Sequence, residues 1–342
     1  MPSSMGSRPA AWPVFCTATR RPRPAAAPTA AAASSAEAGT AHAAGRWSTA
    51  RFQAARAVSH RASPDSMRDA LEVMSTAYDR SVEIDWGDGD YARTAATLVP
   101  AAEVLVEVAG VGAGDRVLDV GCGNGNASLA AAARGADVRA VDPSPGLVAL
   151  TRERADTAGA AVRPVVASAG ELPFEHGAFD AVVSSFAVIF APDAAAAIGE
   201  MVRVARPGGV VALSTWLPGG GIQAAAEVLM SLLPPRPEPR PRWDDPDWIL
   251  GLLAAAGAPG GTVDPRELAF EAPSPAAWFA EHEEFHPVWR ALQREAGPAA
   301  WDEVRQGSVR ALAAHDEGES AFRTTSRYAV IRSVRESSAA SG

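Results

Sequence analysis

Residues 117–125 read Val117-Leu118-Asp119-Val120-Gly121-Cys122-Gly123-Asn124-Gly125, and no other stretch restricts the fold of the chain as tightly. A short apolar run, of the length a buried strand needs, ends in three glycines at alternate positions, and an alanine-rich helical stretch, 126–134, follows. Glycine is required where the backbone turns sharply and where a side chain would cover a ligand lying on it. The free N–H groups at the start of the next helix suit a carboxylate. A second mark lies twenty-one residues after Gly121. There Asp142 ends the next apolar run, where an acid accepts both hydroxyls of a ribose. Dinucleotide sites space their glycines as G-x-G-x-x-G, and Asn126 stands where the third is needed; no GK[ST] occurs, which excludes a P-loop.

Around this turn the chain alternates strand and helix. Strands are expected at 116–120, 138–141, 162–167, 179–186 and 209–216, and helices at 126–134, 144–158 and 193–204. Such β-α repetition with short connections predicts an α/β fold, a doubly wound parallel sheet covered by helices on both faces. Ligands of such sheets sit beyond the carboxyl ends of the strands, at the switch in strand order. Upstream, Ser63-Pro64-Asp65 opens a helix, and 91–99 and 101–109 are two more. After Trp216 the regularity loosens. A proline-rich connector at 234–242 is read as a surface loop, 247–256 as a helix and 263–270 as a strand. Residues 275–315 are largely helical with three tryptophans, and 326–334 is a final strand.

Composition narrows the function. The net charge of −9 and the lack of a basic stripe argue against a nucleic-acid partner. No apolar run approaches the ~18 to 20 residues of a membrane span. All 31 basic residues are arginine, a coding bias rather than a signal. Two cysteines, Cys16 and Cys122, make no disulfide framework, so a reducing, cytoplasmic compartment is the simpler reading. Residues 1–61 differ from the rest, with eight arginines against the single acid Glu37 and no helical or strand period. They read as an unordered tail, as sequence upstream of a true start near Met67, or as an organelle-targeting segment.

Further segments now make a resemblance specific. The glycine turn resembles motif I of the class I S-adenosylmethionine-dependent methyltransferases, and Val141-Asp142-Pro143-Ser144 resembles that family's second-strand acid. Leu172-Pro173-Phe174 with Phe179-Asp180, then Ser184-Ser185-Phe186, Phe190-Ala191-Pro192 and Arg203-Val204-Ala205-Arg206-Pro207-Gly208-Gly209, resemble the segments that follow in order. The likeness is closest to the ubiquinone/menaquinone-type small-molecule branch, methyltransferase type 11. It implies a Rossmann-like, seven-stranded sheet whose last strand is antiparallel, with S-adenosylmethionine as cofactor. It also implies methyl transfer by direct displacement to an oxygen, nitrogen or carbon of a small-molecule acceptor. The implied cofactor residues are Asp119, Gly121, Gly123, Gly125, Asp142, Pro143, Ser168, Ala169 and Ser185. Where relatives read G-D-A before the LPF segment, this chain has Ala167-Ser168-Ala169, so Ser168 replaces an aspartate that would meet the adenine amino group. No [DN]-P-P-[YF] follows the fourth strand, which disfavours amino-group acceptors of nucleic acids.

The expected domain organisation is a 1–61 segment, an N-terminal helical lid at 62–110, and a cofactor-binding domain at 111–336 with a helical cap inserted at about 272–316; 337–342 is a tail. Trp86, Tyr91, Trp216, Trp278 and Trp289 are candidate walls for the acceptor. Asp180, Phe186 and Phe190 read as structural, and Cys122 as facing away from the ligand. His282-Glu283-Glu284-Phe285-His286 is literally an H-E-x-x-H zinc signature. Pro287 pushes His286 out of helical geometry and no third ligand follows closely, so no metal site is expected. His282 and His286 instead become the candidate bases, should an oxygen acceptor need one. Two rival readings stay open: a non-catalytic S-adenosylmethionine-binding protein, and an NAD(P)-dependent oxidoreductase, which Asn126 opposes.

Overall fold

The computed structural model describes residues 84–232 and 241–337. The readings of residues 1–61, of the helix from Ser63, of most of the 234–242 connector and of nearly all of the 337–342 tail lie outside them. Seven strands form one sheet in the order β3-β2-β1-β4-β5-β7-β6. They are β1 (Arg116–Val120), β2 (Asp137–Asp142), β3 (Val162–Val166), β4 (Phe179–Ser185), β5 (Ala205–Trp216), β6 (Thr262–Ala272) and β7 (Phe322–Val334). The first five run parallel, and β7 pairs antiparallel with both β5 and β6. The sheet is therefore the doubly wound, Rossmann-like one that the alternation predicts, with its switch in order between β1 and β4.

The central strands are buried on both faces, which is why they read as unbroken apolar runs. Val117, Leu118, Val120, Val182 and Val183 have no exposed surface. Helices α1 (Tyr91–Ala95) and α2 (Val99–Val108) precede the sheet, α3 (Asn126–Ala133) follows β1, α4 (Pro145–Ala158) follows β2 and α5 (Ala194–Val204) follows β4. Their starts are written locally. Ser144 accepts the N–H of Leu147 at α4, and Asp193 accepts that of Ala196 at α5.

After β5 come α6 (Gly221–Met230) and α7 (Pro246–Ala255). Helix α6 is not foreseen by the sequence. It follows Pro218-Gly219-Gly220 and has no side-chain cap, so tertiary contacts define it. Gly307 fits against Val228, and the Ser308 hydroxyl donates to Ala225 O at 3.1 Å. Between β6 and β7 the chain inserts α8 (Pro275–Phe285), α9 (Pro287–Ala296) and α10 (Pro298–Ala313). Each opens on a proline at its first position, where the missing N–H and the fixed φ suit a helix start. A second apolar core joins these helices to α6 through Leu229, Phe279, Trp301, Val304 and Phe322. No described helix is long and apolar enough to cross a membrane.

Asp180, at the amino end of β4, ties three strands together. It accepts from the Arg116 backbone N–H at 2.9 Å and from the Arg116 and Arg206 guanidiniums at 3.1 and 2.6 Å. Burial opposes ionisation there, yet these bonds hold its carboxyl well below the usual carboxylate range. It lies at the opposite end of the strands from Gly121, a structural place as the sequence implies. Both arginines are half exposed, so Asp180→Ala should destabilise the fold by only about 1 kcal/mol near neutral pH. The folded pKa is depressed, so the gap should be complete above the unfolded value of about 3.9 and shrink as pH falls below it. Paired thermal melts at pH 7 and pH 3 check this.

Candidate active site

Strand β1 delivers the chain to Gly121, whose φ is +71°. A Cβ there would stand 2.3 Å from Ala187 Cβ, so only glycine fits. The turn then folds onto the end of β2. Gly121 and Cys122 both donate their N–H to Val141 O at 2.8 Å. The Asp142 carboxylate completes the strap, with Oδ2 accepting from Gly123 N and Oδ1 from Ser144 N, each at 2.9 Å. Burial pushes the Asp142 carboxyl up, and these two N–H groups oppose the push. The Cys122 sulfur lies 3.7 Å from Thr151 Oγ1 on α4, and burial raises its pKa well above the ordinary thiol value. That thiol is inert. Gly125 stands off the site: it precedes α3 with its α-carbon face against Thr151, so its work is helix packing.

A cavity of 320 Å³ opens on the turn. Asp119, Gly121, Gly123 and Asp142 line one side, and Pro143, Ser168, Ala169 and Ser185 line the rest of the expected set. Of the nine residues that the resemblance names, Gly125 alone is not brought there. Asp119 is 1% exposed and accepts the Ser128 hydroxyl on Oδ2 at 2.6 Å, while Oδ1 has no partner among the described residues. Burial pushes this carboxyl up to about 6. A buried carboxylate oxygen left open toward a cavity calls for a cationic or N–H donor. Two carboxylates beside the side-chain-free backbone of Gly121 and Gly123, at one end of a cavity with apolar walls, fit an adenosine carrying an amino-acid tail.

A second cavity, of 120 Å³, adjoins the first and shares Trp86, Tyr91, Phe186 and Phe190 with it. Phe186 and Phe190 are thus more than core residues. Phe186 follows β4 with φ +53°, a left-handed conformation that non-glycine residues seldom hold, and stacks on Trp216 at 4.1 Å between centroids. All five aromatic residues named as acceptor walls line this second cavity.

His282 and His286 line it as well. The helix breaks at His286, whose extended φ and ψ of −87° and 123° end α8 and begin α9, as Pro287 requires. His282 stacks on Trp278 at 3.6 Å, and His286 sits among Trp86, Tyr91 and Trp289. Burial lowers the pKa of both, to about 4 for His282 and well below the ordinary value for His286, so both rings are neutral at neutral pH. Glu283, the acid of the H-E-x-x-H string, bonds instead to Gln293, Trp301 and Arg305. Segment 84–90 is fastened over the same helices: Asp88 pairs with Arg290 and Arg294, and Asp90 N donates to Phe285 O at 3.1 Å. Gln223 on α6 and Ser326 on β7 also line the cavity. Nothing in the sequence marked these two, each one polar residue among others in its helix or strand.

Gly121→Ala and Gly159→Ala separate conformation from contact. Both positions are left-handed, but Gly159 has open space around it. Each alanine should cost about 1 to 2 kcal/mol for its backbone, and the clash with Ala187 should add about 1 to 3 kcal/mol at Gly121 alone. Denaturant unfolding of the two variants reads the difference.

Comparison with known proteins agrees with this geometry. The profile of a family described as a methyltransferase domain matches residues 118–213. An uncharacterized protein of Mycobacterium tuberculosis is 39% identical over 175 residues, 49% of this chain and 63% of that protein, so the chain spans less than two thirds of that relative's length. A demethylmenaquinone methyltransferase of Clavibacter sepedonicus is 33% identical over 150 residues, 44% of this chain and 58% of that enzyme. Among solved structures, a putative methyltransferase from Bacillus halodurans shares the fold, with a TM-score of 0.50 at 18% identity over 70% of this chain and 100% of that one. The dinucleotide reading is thereby set aside. Residues 118–213 thus match a methyltransferase domain of the type 11 kind that the glycine turn and Asp142 resemble.

Proposed function

We propose that the protein transfers a methyl group from S-adenosylmethionine to a small-molecule acceptor seated in the second cavity. The observation that carries this reading is that the two cavities meet across Trp86, Tyr91, Phe186 and Phe190. A protein that only bound the cofactor would need no second chamber beside the first. When bound, S-adenosylmethionine supplies a methyl group on a sulfonium that is already a good leaving group.

The chain's residues then hold and orient. Asp142, with lone pairs left after its bonds to Gly123 and Ser144, accepts the ribose hydroxyls. Asp119 Oδ1 accepts the ammonium of the amino-acid tail, and the backbone of 121–123 faces the tail without side chains in the way. Pro143 packs on the adenine, whose edge meets Ser168 and Ala169, and Ser185 closes the floor. The Ser168 hydroxyl already accepts Gly170 N, at 3.3 Å, and offers adenine a weaker partner than an aspartate would. The shared aromatic walls exclude water and align the acceptor with the methyl group. Alignment of this kind is worth about 7 to 11 kcal/mol at best.

Calorimetry of the full chain with S-adenosylmethionine should give a one-site binding isotherm, and Asp142→Ala should weaken it about 10- to 100-fold. Incubation with radiolabelled cofactor and a bacterial metabolite extract should yield a labelled small molecule, identified by mass. Absence of binding heat, together with an Asp142→Ala protein indistinguishable from the parent, would remove the proposal.

A further inference from the structure

Three buried polar atoms on residues that line the second cavity lack any protein partner among the described residues. Gln223 Oε1, Trp289 Nε1 and Ser326 Oγ are buried and unbonded, on residues 8%, 4% and 1% exposed. His282, which lines the same cavity, is 8% exposed. Groups buried like this require hydrogen bonds, so their open valences describe what the cavity is shaped to hold.

The two histidines sharpen the description because their tautomers are set by the backbone. His282 Nδ1 lies 2.9 Å from Trp278 O. A carbonyl only accepts, so Nδ1 carries the proton and the neutral ring leaves Nε2 as a bare acceptor. His286 is the reverse: its Nδ1 accepts from Val288 N at 3.2 Å, so its proton is on Nε2. The two rings, both on the cavity's lining, thus offer one acceptor and one donor. No Asp, Glu or Arg lines it among the described residues, so a charged guest would lose its hydration without compensation. Trp86, Tyr91, Phe186, Trp216, Trp278 and Trp289 favour a flat, apolar body. A cavity of about 150 Å³ takes a benzene molecule, so 120 Å³ is of the scale of a single ring.

We propose that the second cavity binds an uncharged hydroxyarene, a phenol-class ring whose hydroxyl donates to His282 Nε2 and accepts from His286 Nε2. This deepens the methyl-transfer reading and rests on it for the ring's role as acceptor. A hydroxyl satisfies both histidines at once. A carboxylate cannot donate, an alkylamine is charged at neutral pH, and an arylamine is a poor acceptor. Gln223 Oε1, Trp289 Nε1 and Ser326 Oγ select rings that bear a second hydroxyl or carbonyl.

The test measures binding to the full chain without cofactor, by quenching of tryptophan fluorescence and by calorimetry. The probes are phenol, catechol, toluene, benzoate and benzylammonium. Phenol and catechol should bind at least about tenfold more tightly than the other three, catechol the tighter. His282→Phe keeps the ring stacked on Trp278 but removes the acceptor, and should bring phenol down to the level of toluene while leaving toluene unchanged. That loss is about tenfold, the upper end of what one net hydrogen bond contributes. His282→Asn, which can still donate toward Trp278 O, should do the same and serves if the phenylalanine variant misfolds. Should both misfold, the probe series on the parent protein decides alone. Tighter binding of benzoate or benzylammonium, equal binding of phenol and toluene, no binding of any ring, or a folded His282→Phe that binds phenol as well as the parent would each overturn the proposal. Cofactor calorimetry separates the two claims: binding of cofactor without phenol sinks only this inference, and binding of phenol without cofactor sinks only the methyl-transfer reading.

Discussion

The link between the glycine turn and the end of β2 underlies the rest of the site. Val141 O accepts two successive N–H groups, and the adjoining Asp142 carboxylate accepts two more, from Gly123 and Ser144. These bonds fold the chain flat against the neighbouring strand, so the backbone itself becomes the floor of the first cavity. They also hold a carboxylate where burial disfavours its charge. Together with the half-satisfied Asp119, this concentrates negative potential at one end of the cavity, a cost to the empty fold that a cationic guest offsets.

The cofactor half of the molecule was legible because its requirements are local. Gly121 has to be glycine for reasons of φ and contact, Asp142 has to be an acid at a strand end, and the strands on both sides are continuously apolar. Short-range rules are enough to find such features. Gly125 shows the limit of this logic: its place in the motif suggests ligand contact, while its surroundings assign it to the packing of α3 against α4. Periodicity located most elements and failed at α6, whose boundaries come from β7 and α10 rather than from its own caps.

The second cavity was only half legible. Its aromatic walls stand out in a chain with few aromatic residues, and proline after His286 predicted the break that turns α8 into α9. Its polar atoms did not stand out. Gln223 and Ser326 are unremarkable in sequence and become informative only when the fold buries Gln223 Oε1 and Ser326 Oγ with no partner among the described residues. The tautomers of His282 and His286 depend likewise on which carbonyl or N–H each Nδ1 meets, a fact of three-dimensional placement.

Strands β6 and β7 are paired from Thr262–Arg332 to Ala272–Phe322, although 49 residues separate Ala272 from Phe322. Everything in that interval, α8 to α10 with both histidines, hangs from a ladder closed independently of it. Replacement of the interval by another of different length would leave the five parallel strands and their glycine turn untouched, since neither contributes a backbone bond to it. One part of the second cavity's wall, Trp278, His282, His286 and Trp289, thus lies in an insertion, while Phe186 and Trp216 belong to the end of the sheet. Exchange of that insertion would redraw its share of the wall and leave the sheet's share as it stands.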